Sequence, residues 1–255
     1  MAISRSQLVK ELEPGLNALF GLEYGRYDAE HTEIFDTETS DRAFEEEVML
    51  SGFGNARVKS EGGSIVYDNA TETFTARYSH ETIALGFAIT EEAVEDNLYD
   101  RVSARYTKAL ARSMANTKQV KAANVLNNAF DPNFTGGDGV ELCSAVHPIV
   151  AGTFANELGT AADLNETSLE QSLIDIAAFT DERGLLISTQ GRKLIIPSEL
   201  QFVAERLTQS QLRVGTADND INATRNMGMI PEGVSLRNHA HVSCSIDIIV
   251  CCANS

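Results

Sequence analysis

The chain predicts an α+β fold, and three observations carry that prediction. Between Glu45 and Ile89 the hydrophobic period is two, the mark of strands with one covered face. From Glu91 to Phe130 neither Gly nor Pro occurs, which reads as one long helix. Helical and strand patterns then alternate over about residues 135–230, the signature of a separate α/β subdomain. At 255 residues there is enough chain to bury a core as one domain or as two smaller ones.

In chain order, residues 1–40 read as irregular, with a short amphipathic helix over Ser4 to Leu12 that Pro14-Gly15 stops. Phe74, Ala76 and Tyr78 alternate with Thr75 and Arg77, and Ile83, Leu85, Phe87 and Ile89 alternate with Ala84, Gly86 and Ala88. Both runs predict strands. Arg57 to Glu61 and Ser64 to Asp68 flank Gly62-Gly63 and predict an extended hairpin. Its polar residues, Lys59, Ser60 and Glu61, give it little to bury against its own domain.

Thr90 is a good N-cap, and Glu91, Glu92, Glu95 and Asp96 place negative charge at the positive end of the helix dipole. A helix from Glu91 to about Phe130 would be roughly 60 Å long. Its apolar positions Val94, Leu98, Val102, Tyr106, Leu110 and Met114 step by four, so the stripe winds around the axis and faces several neighbours. A coiled coil would need a 3.5 period, which the stripe lacks.

Residues 131–166 are rich in loop signals. A second helix is predicted from Thr167 or Ser168, with Glu170 or Gln171 completing a capping box, to about Arg183, closed by Gly184. A short strand, Lys193 to Ile196, follows, and Pro197-Ser198 opens a third helix through about Leu207.

Composition narrows the function. An apolar share of 43% and a charged share of 22% are those of a globular protein. The net charge of −17 and the lack of a basic stripe disfavour a surface that tracks nucleic-acid phosphates. No window approaches 18 apolar residues, so no membrane span is expected. The charged N-terminus lacks the apolar centre of a secretory signal, so a cytosolic setting is expected. In that setting Cys143, Cys244, Cys251 and Cys252 read as reduced thiols and the sequons at Asn69, Asn133, Asn165 and Asn222 as chance.

Motifs for chemistry are few. No P-loop, dinucleotide glycine fingerprint or nucleophile-elbow serine occurs. Asp218, Asp220 and Asn222 imitate the start of a calcium loop, but Ala223 and Met229 stand where its Gly and Glu belong. His239, His241 and Cys244, with Cys251-Cys252 beyond, are soft zinc ligands at untidy spacing. They carry the one enzyme alternative, a metal-dependent hydrolase; the bland reading is a terminal strand with incidental thiols. His31, His80 and His147 are isolated and read as structural, with His147 extended before Pro148. Glu45-Glu46-Glu47 reads as a solvated face. The expectation is therefore no catalytic residue, no metal and no cofactor.

Taken as an ordered string, several stretches resemble the major capsid proteins of tailed bacteriophages, whose fold is shared with encapsulins. These are Ser51-Gly52-Phe53-Gly54 through Glu61-Gly62-Gly63, and Ile65-Val66-Tyr67-Asp68. Leu85 to Glu92, Glu95 to Leu98, Leu110 to Ser113 and Val125 to Phe130 follow. Ala162-Asp163-Leu164, Pro197 to Leu200 and Gly215 to Asn222 complete the string. Order and spacing carry the likeness, which spans about residues 15–232.

The resemblance implies an N-terminal arm (1–40) and an extended loop with its flanking strands (41–89). It implies a peripheral domain on a spine helix (90–134, with 231–255) and an axial domain (135–230). It also implies that Arg57, Lys59, Glu61, Ile65 and Tyr67 on the loop contact a neighbouring subunit. The implied function is a major capsid protein that self-assembles into pentamers and hexamers of an icosahedral head, in the virion after assembly in host cytoplasm. Implied partners are further copies, portal, scaffold or cement proteins, and packaged double-stranded DNA enclosed without sequence-specific binding, with no membrane. An encapsulin-like compartment around cargo is the alternative with the same fold. The tail from Gly233 to Ser255 departs from the family pattern, being short and without an aromatic residue. Some members cross-link the loop through a Lys–Asn isopeptide bond. Lys59 is placed for one, but no asparagine or carboxylate partner is evident, so a non-covalent contact is expected.

Overall fold

The computed structural model describes residues 5–88, 90, 99–213, 220–226 and 249–252. The chain divides into two compact units, one of residues 1–38 and 81–123, the other of residues 39–80 and 124–255.

The first unit contains α1 (Arg5–Tyr24), a 3-10 turn (Glu30–Glu33) and most of α2 (Tyr99–Asn127). The expected stop at Pro14-Gly15 is overturned, because α1 runs through both residues. An interior proline removes one backbone bond, a loss of about 3 kcal/mol. Anchorage further along offsets it: Glu23 is buried and pairs with Lys108 of α2 at 3.1 Å and with Arg26 at 3.1 Å. The Lys108 hydrogen bond is the main reason the Glu23 carboxyl lies below its ordinary value, against the opposing pull of burial. Gln119 of α2 fastens the following turn, donating to the Asp28 carbonyl at 2.9 Å and accepting from the His31 amide at 3.2 Å.

The long helix is continuous through Tyr106, as its sequence predicts, and its 29 residues span about 43 Å. Its expected start, including Val94 and Leu98, lies outside the described residues. Of the expected stripe, the side chain of Val102 lies outside them as well. Ser103, Thr107 and Ala111 are the buried step-of-four series, while Tyr106 is exposed and Leu110 and Met114 are half-buried. Those covered positions are small or polar, which a hydrophobicity pattern does not register. Residues 80–88 form no strand, although the alternation predicts one. Alternation makes a strand only where a partner supplies the ladder, and beyond the His80 amide bond to the Ala43 carbonyl at 3.2 Å none pairs with them among the described residues. Phe87 instead lies 5.9 Å from the Tyr106 ring.

In the second unit β1 (Phe44–Leu50) pairs antiparallel with β2 (Glu72–Ser79), as the alternation of Phe74 and Ala76 predicts. Glu46 lies opposite Arg77 and binds it at 2.6 Å, and Arg77 also stands 4.3 Å over the Phe44 ring. Glu46 and Glu47 are exposed and Glu45 is half-buried, so the acidic run lies on a strand open to solvent. Two strands alone are marginal. Here Gly137 packs on β2 so closely that an added Cβ would stand 2.8 Å from the Ala76 Cα. Gly137→Val is expected to lower stability by about 1–3 kcal/mol, because backbone cannot move aside as a side-chain tip can. Thermal melting checks this, and an unchanged midpoint would remove Gly137 as a packing position.

A hairpin not foreseen in the sequence, β3 (His147–Ile149) with β4 (Gly152–Phe154), interrupts the loop-rich stretch. Next, α3 (Glu166–Ala177) differs at both ends from its sequence prediction. Its N-cap is Asn165, and the reciprocal capping bond comes from Ser168, not from Glu170 or Gln171. It stops before Gly184, which instead closes a tight turn with φ +79° and donates to the Asp181 carbonyl at 2.9 Å. The strand β5 (Gly191–Ile195) and helix α4 (Gln201–Gln209), entered through a 3-10 turn (Ser198–Leu200), fall where expected. A short helix, α5 (Ala223–Asn226), follows α4, and β6 (Ile249–Cys252) pairs antiparallel with β5. Leu164, Leu169, Leu194, Ile196 and Ala204 form the core of this unit, with Leu200, Val203 and Leu207 packed on it. A fully buried leucine there contributes about 2 kcal/mol.

Candidate intersubunit surface

The residues between β1 and β2 rise from a tightly bonded root. Ser51, almost fully buried, donates its amide to the Thr71 carbonyl at 2.8 Å and accepts the Thr71 amide on its hydroxyl at 2.9 Å. One step outward, the Gly54 amide donates to Asp68 Oδ2 at 2.8 Å and the Asn69 amide to Oδ1 at 3.0 Å. These two amide bonds, foremost that of Gly54, hold the Asp68 carboxyl below its ordinary value, with a further contribution from the charge of Arg183.

Arg183 closes the root from outside it. Its Nε donates to the Gly52 carbonyl at 3.1 Å, and its Nη2 to the Asn69 carbonyl at 2.7 Å and to Asp68 Oδ1 at 3.3 Å. The backbone that carries Arg183 is itself fixed, since Asp181 Oδ1 accepts the amides of Arg183 at 2.9 Å and Leu185 at 2.8 Å. Neither Arg183 nor Asp68 was singled out in the sequence. The one local signal was the turn composition Asp181-Glu182-Arg183-Gly184.

Beyond the root the two limbs separate. Arg57 to Glu61 and Ser64 to Asp68 are not paired strands, so the extended hairpin becomes an extended loop. Its turn does fall at Gly62-Gly63, where Gly62 has φ +77° and the Gly63 amide donates to the Ser60 carbonyl at 3.0 Å. The limbs fail to pair because polar residues on both faces give a ladder no buried side to register against. Of the five candidate contact residues, Arg57, Lys59, Glu61, Ile65 and Tyr67 all lie on this loop and all are exposed. Val58 is fully exposed and Tyr67 is 89% exposed, with Phe53, Ile65 and Val66 also uncovered. A run of apolar side chains left in water on one loop is the usual mark of a surface that another molecule covers.

Among the described residues the other candidates are not brought together into one cluster. His147 is held on both ring nitrogens, Nδ1 2.6 Å from Asp138 Oδ2 and Nε2 3.2 Å from Asn156 Oδ1. Burial would raise the Asp138 carboxyl, but the His147 hydrogen bond and the Val140 amide outweigh it and keep it low. Asn156 is pinned in turn by the Ser144 amide at 2.7 Å and the Leu142 carbonyl at 2.8 Å, so the network braces a loop. His31 is buried in the first unit, where burial and the charge of Lys118 lower its imidazole. Asn222 spends its amide on the carbonyls of Leu207 at 2.6 Å and Ser210 at 3.2 Å. Asp218, His239, His241 and Cys244 lie outside the described residues, as do the side chains of Cys251 and Cys252. Among the described residues no group of three or more His, Cys, Asp or Glu is placed to hold a metal ion. Among them, too, no helix is long and apolar enough to cross a membrane.

A family model described as phage capsid protein matches residues 72–250, more than two thirds of the chain. The match begins at the first residue of β2. No curated protein and no solved structure matches the chain.

Proposed function

The chain belongs to the phage capsid protein family, and on that premise we propose that it tiles an icosahedral head as hexamers and pentamers around packaged double-stranded DNA. It is a structural component of the virion. Within it, residues 1–40 serve as the arm, 41–89 as the extended loop and its strands, 90–134 with 231–255 as the peripheral domain, and 135–230 as the axial domain. Arg57, Lys59, Glu61, Ile65 and Tyr67 meet a neighbouring subunit. Portal, scaffold or cement proteins complete the particle, which is assembled in host cytoplasm, and it performs no catalysis.

The observation that carries the subunit contact is the exposed loop. It leaves Val58, Ile65, Val66 and Tyr67 in water while its root is fastened by a lattice of hydrogen bonds. Burying such side chains against a second copy returns about 25 cal/mol for each Å² of apolar surface covered. The acidic surface suits an enclosing wall, since it does not grip phosphates.

Electron microscopy of the purified protein tests the proposal. Closed icosahedral shells are expected, and dispersed monomers or open filaments under all conditions would sink it. Particles holding protein cargo and no DNA would favour the compartment alternative. On a denaturing gel the same particles are expected to give a single band near 27.7 kDa. A ladder abolished by Lys59→Ala would overturn the non-covalent role given to Lys59.

A further inference from the structure

We propose that Arg183 is the positioning residue that latches the root of the extended loop and so sets the direction in which the loop leaves its subunit. Among the described residues, Arg183 makes the hydrogen-bonding link between that root and a part of the chain other than β1 and β2. From Asn55 to Tyr67 no hydrogen bond among the described residues ties one limb to the other. Whatever direction the tip takes is therefore decided at the root.

The chemistry of the latch requires arginine. The planar guanidinium holds its Nε and Nη2 donors side by side in a fixed fork, which lets it reach Gly52 on the outgoing limb and Asp68 and Asn69 on the returning limb together. A lysine offers its three donors from one nitrogen on a flexible stem and lacks the fixed spread that holds both limbs at once. Asp68 serves as the opposing jaw, since its second oxygen holds the Gly54 amide across the loop at 2.8 Å. The guanidinium is largely covered, with 22% of the side chain exposed, so its bonds to two carbonyls compete little with water. The Asp68 pair is half in solvent and adds less. The turn at Asp181 to Gly184 supplies the rigid mount that a latch needs.

The consequence for assembly rests on reading this loop as an intersubunit contact; the latch itself is internal to one chain. The test therefore has two readouts on the full-length protein. Unassembled Arg183→Ala subunits are exposed briefly to a lysine-specific protease, and cleavage after Lys59 is followed by fragment mass. A protease must draw the chain on both sides of Lys59 into its cleft, which the root bonds at Gly52, Gly54 and Asp68 resist. Cleavage therefore follows the population with the root open and is expected to rise about five- to thirty-fold while the melting midpoint changes little. Arg183→Lys, which keeps the charge but not the fork, is expected to restore only a small part of the protection. Shell formation by each variant is then scored by electron microscopy.

Unchanged cleavage in Arg183→Ala overturns the latch, whatever happens to assembly. Faster cleavage with normal shells supports the latch and overturns the loop as an assembly contact. Faster cleavage with few or malformed shells supports both. Should Arg183→Ala fail to fold, Asp68→Ala removes the opposing jaw and leaves the Asp181 turn intact, and its cleavage rate is read in the same way.

Discussion

A chain lacking Lys59 to Ser64 is expected to fold normally and fail to assemble. The segment holds the turn at Gly62-Gly63, and its one described hydrogen bond, from the Gly63 amide to the Ser60 carbonyl, lies within it. Among the described residues the core of its own unit does not include it: Val58 beside it is fully exposed, and that core is built from Leu164, Leu169, Leu194, Ile196 and Ala204. Shortening a surface loop changes closure entropy by well under about 1 kcal/mol. The melting midpoint should therefore stay within a few degrees. Assembly is a different quantity, because the same contact recurs in every subunit of a shell. Losing even about 1.4 kcal/mol at each copy is a tenfold change in each association step. The yield of closed particles is expected to fall by at least about tenfold, measured by sedimentation and microscopy. Normal assembly by a subunit that has itself lost stability would reverse the assignment, making the loop a folding element instead of a contact.

Tyr106→Pro is expected to be the most damaging single substitution to the first unit. It falls within a continuous helix, so it removes one backbone bond and drives the ring into the preceding turn, at about 3 kcal/mol or more. The side chains on either side make matters worse. Ser103 and Thr107 are buried, so a kink at 106 would pull two covered positions out of register together. The Phe87 ring 5.9 Å away would lose its partner as well. For a chain of this size the loss corresponds to a fall in melting midpoint of roughly 6–12 °C. Tyr106→Ala is the control: it deletes the ring contact but keeps the helix, and should cost much less. If the two variants melted alike, the damage would belong to the aromatic contact and not to the helix.

The extent of what was legible differs from element to element. The long helix was plain because nothing in its sequence interrupts it, and backbone bonding within a helix is local. The β1–β2 pair was legible in part, since Phe74 and Ala76 alternate with polar residues, whereas the register that sets Glu46 opposite Arg77 came only from the structure. The same alternation over Ile83, Leu85 and Phe87 misled, because a strand also needs a neighbour and sequence spacing does not provide one. At α1 a local rule failed for the opposite reason. Proline and glycine forecast a stop, yet Glu23 and its partner Lys108 on α2 anchor the helix beyond them.

By itself the sequence determined the α+β class, the continuous spine, the polar turn at Gly62-Gly63 and the likeness to capsid proteins. Each of these rests on neighbours within a few residues or on the order of such stretches along the chain. The tertiary structure alone decided which face of α2 is covered, how α3 is capped and how the extended loop is held. Ser103 and Thr107 are covered although they are polar, so their burial is set by what surrounds them and not by a local pattern. Arg183 meets Gly52, Asp68 and Asn69 across more than a hundred residues of chain. A contact of that span is fixed by the packing of the unit, since the physics of any short window is indifferent to what stands so far away.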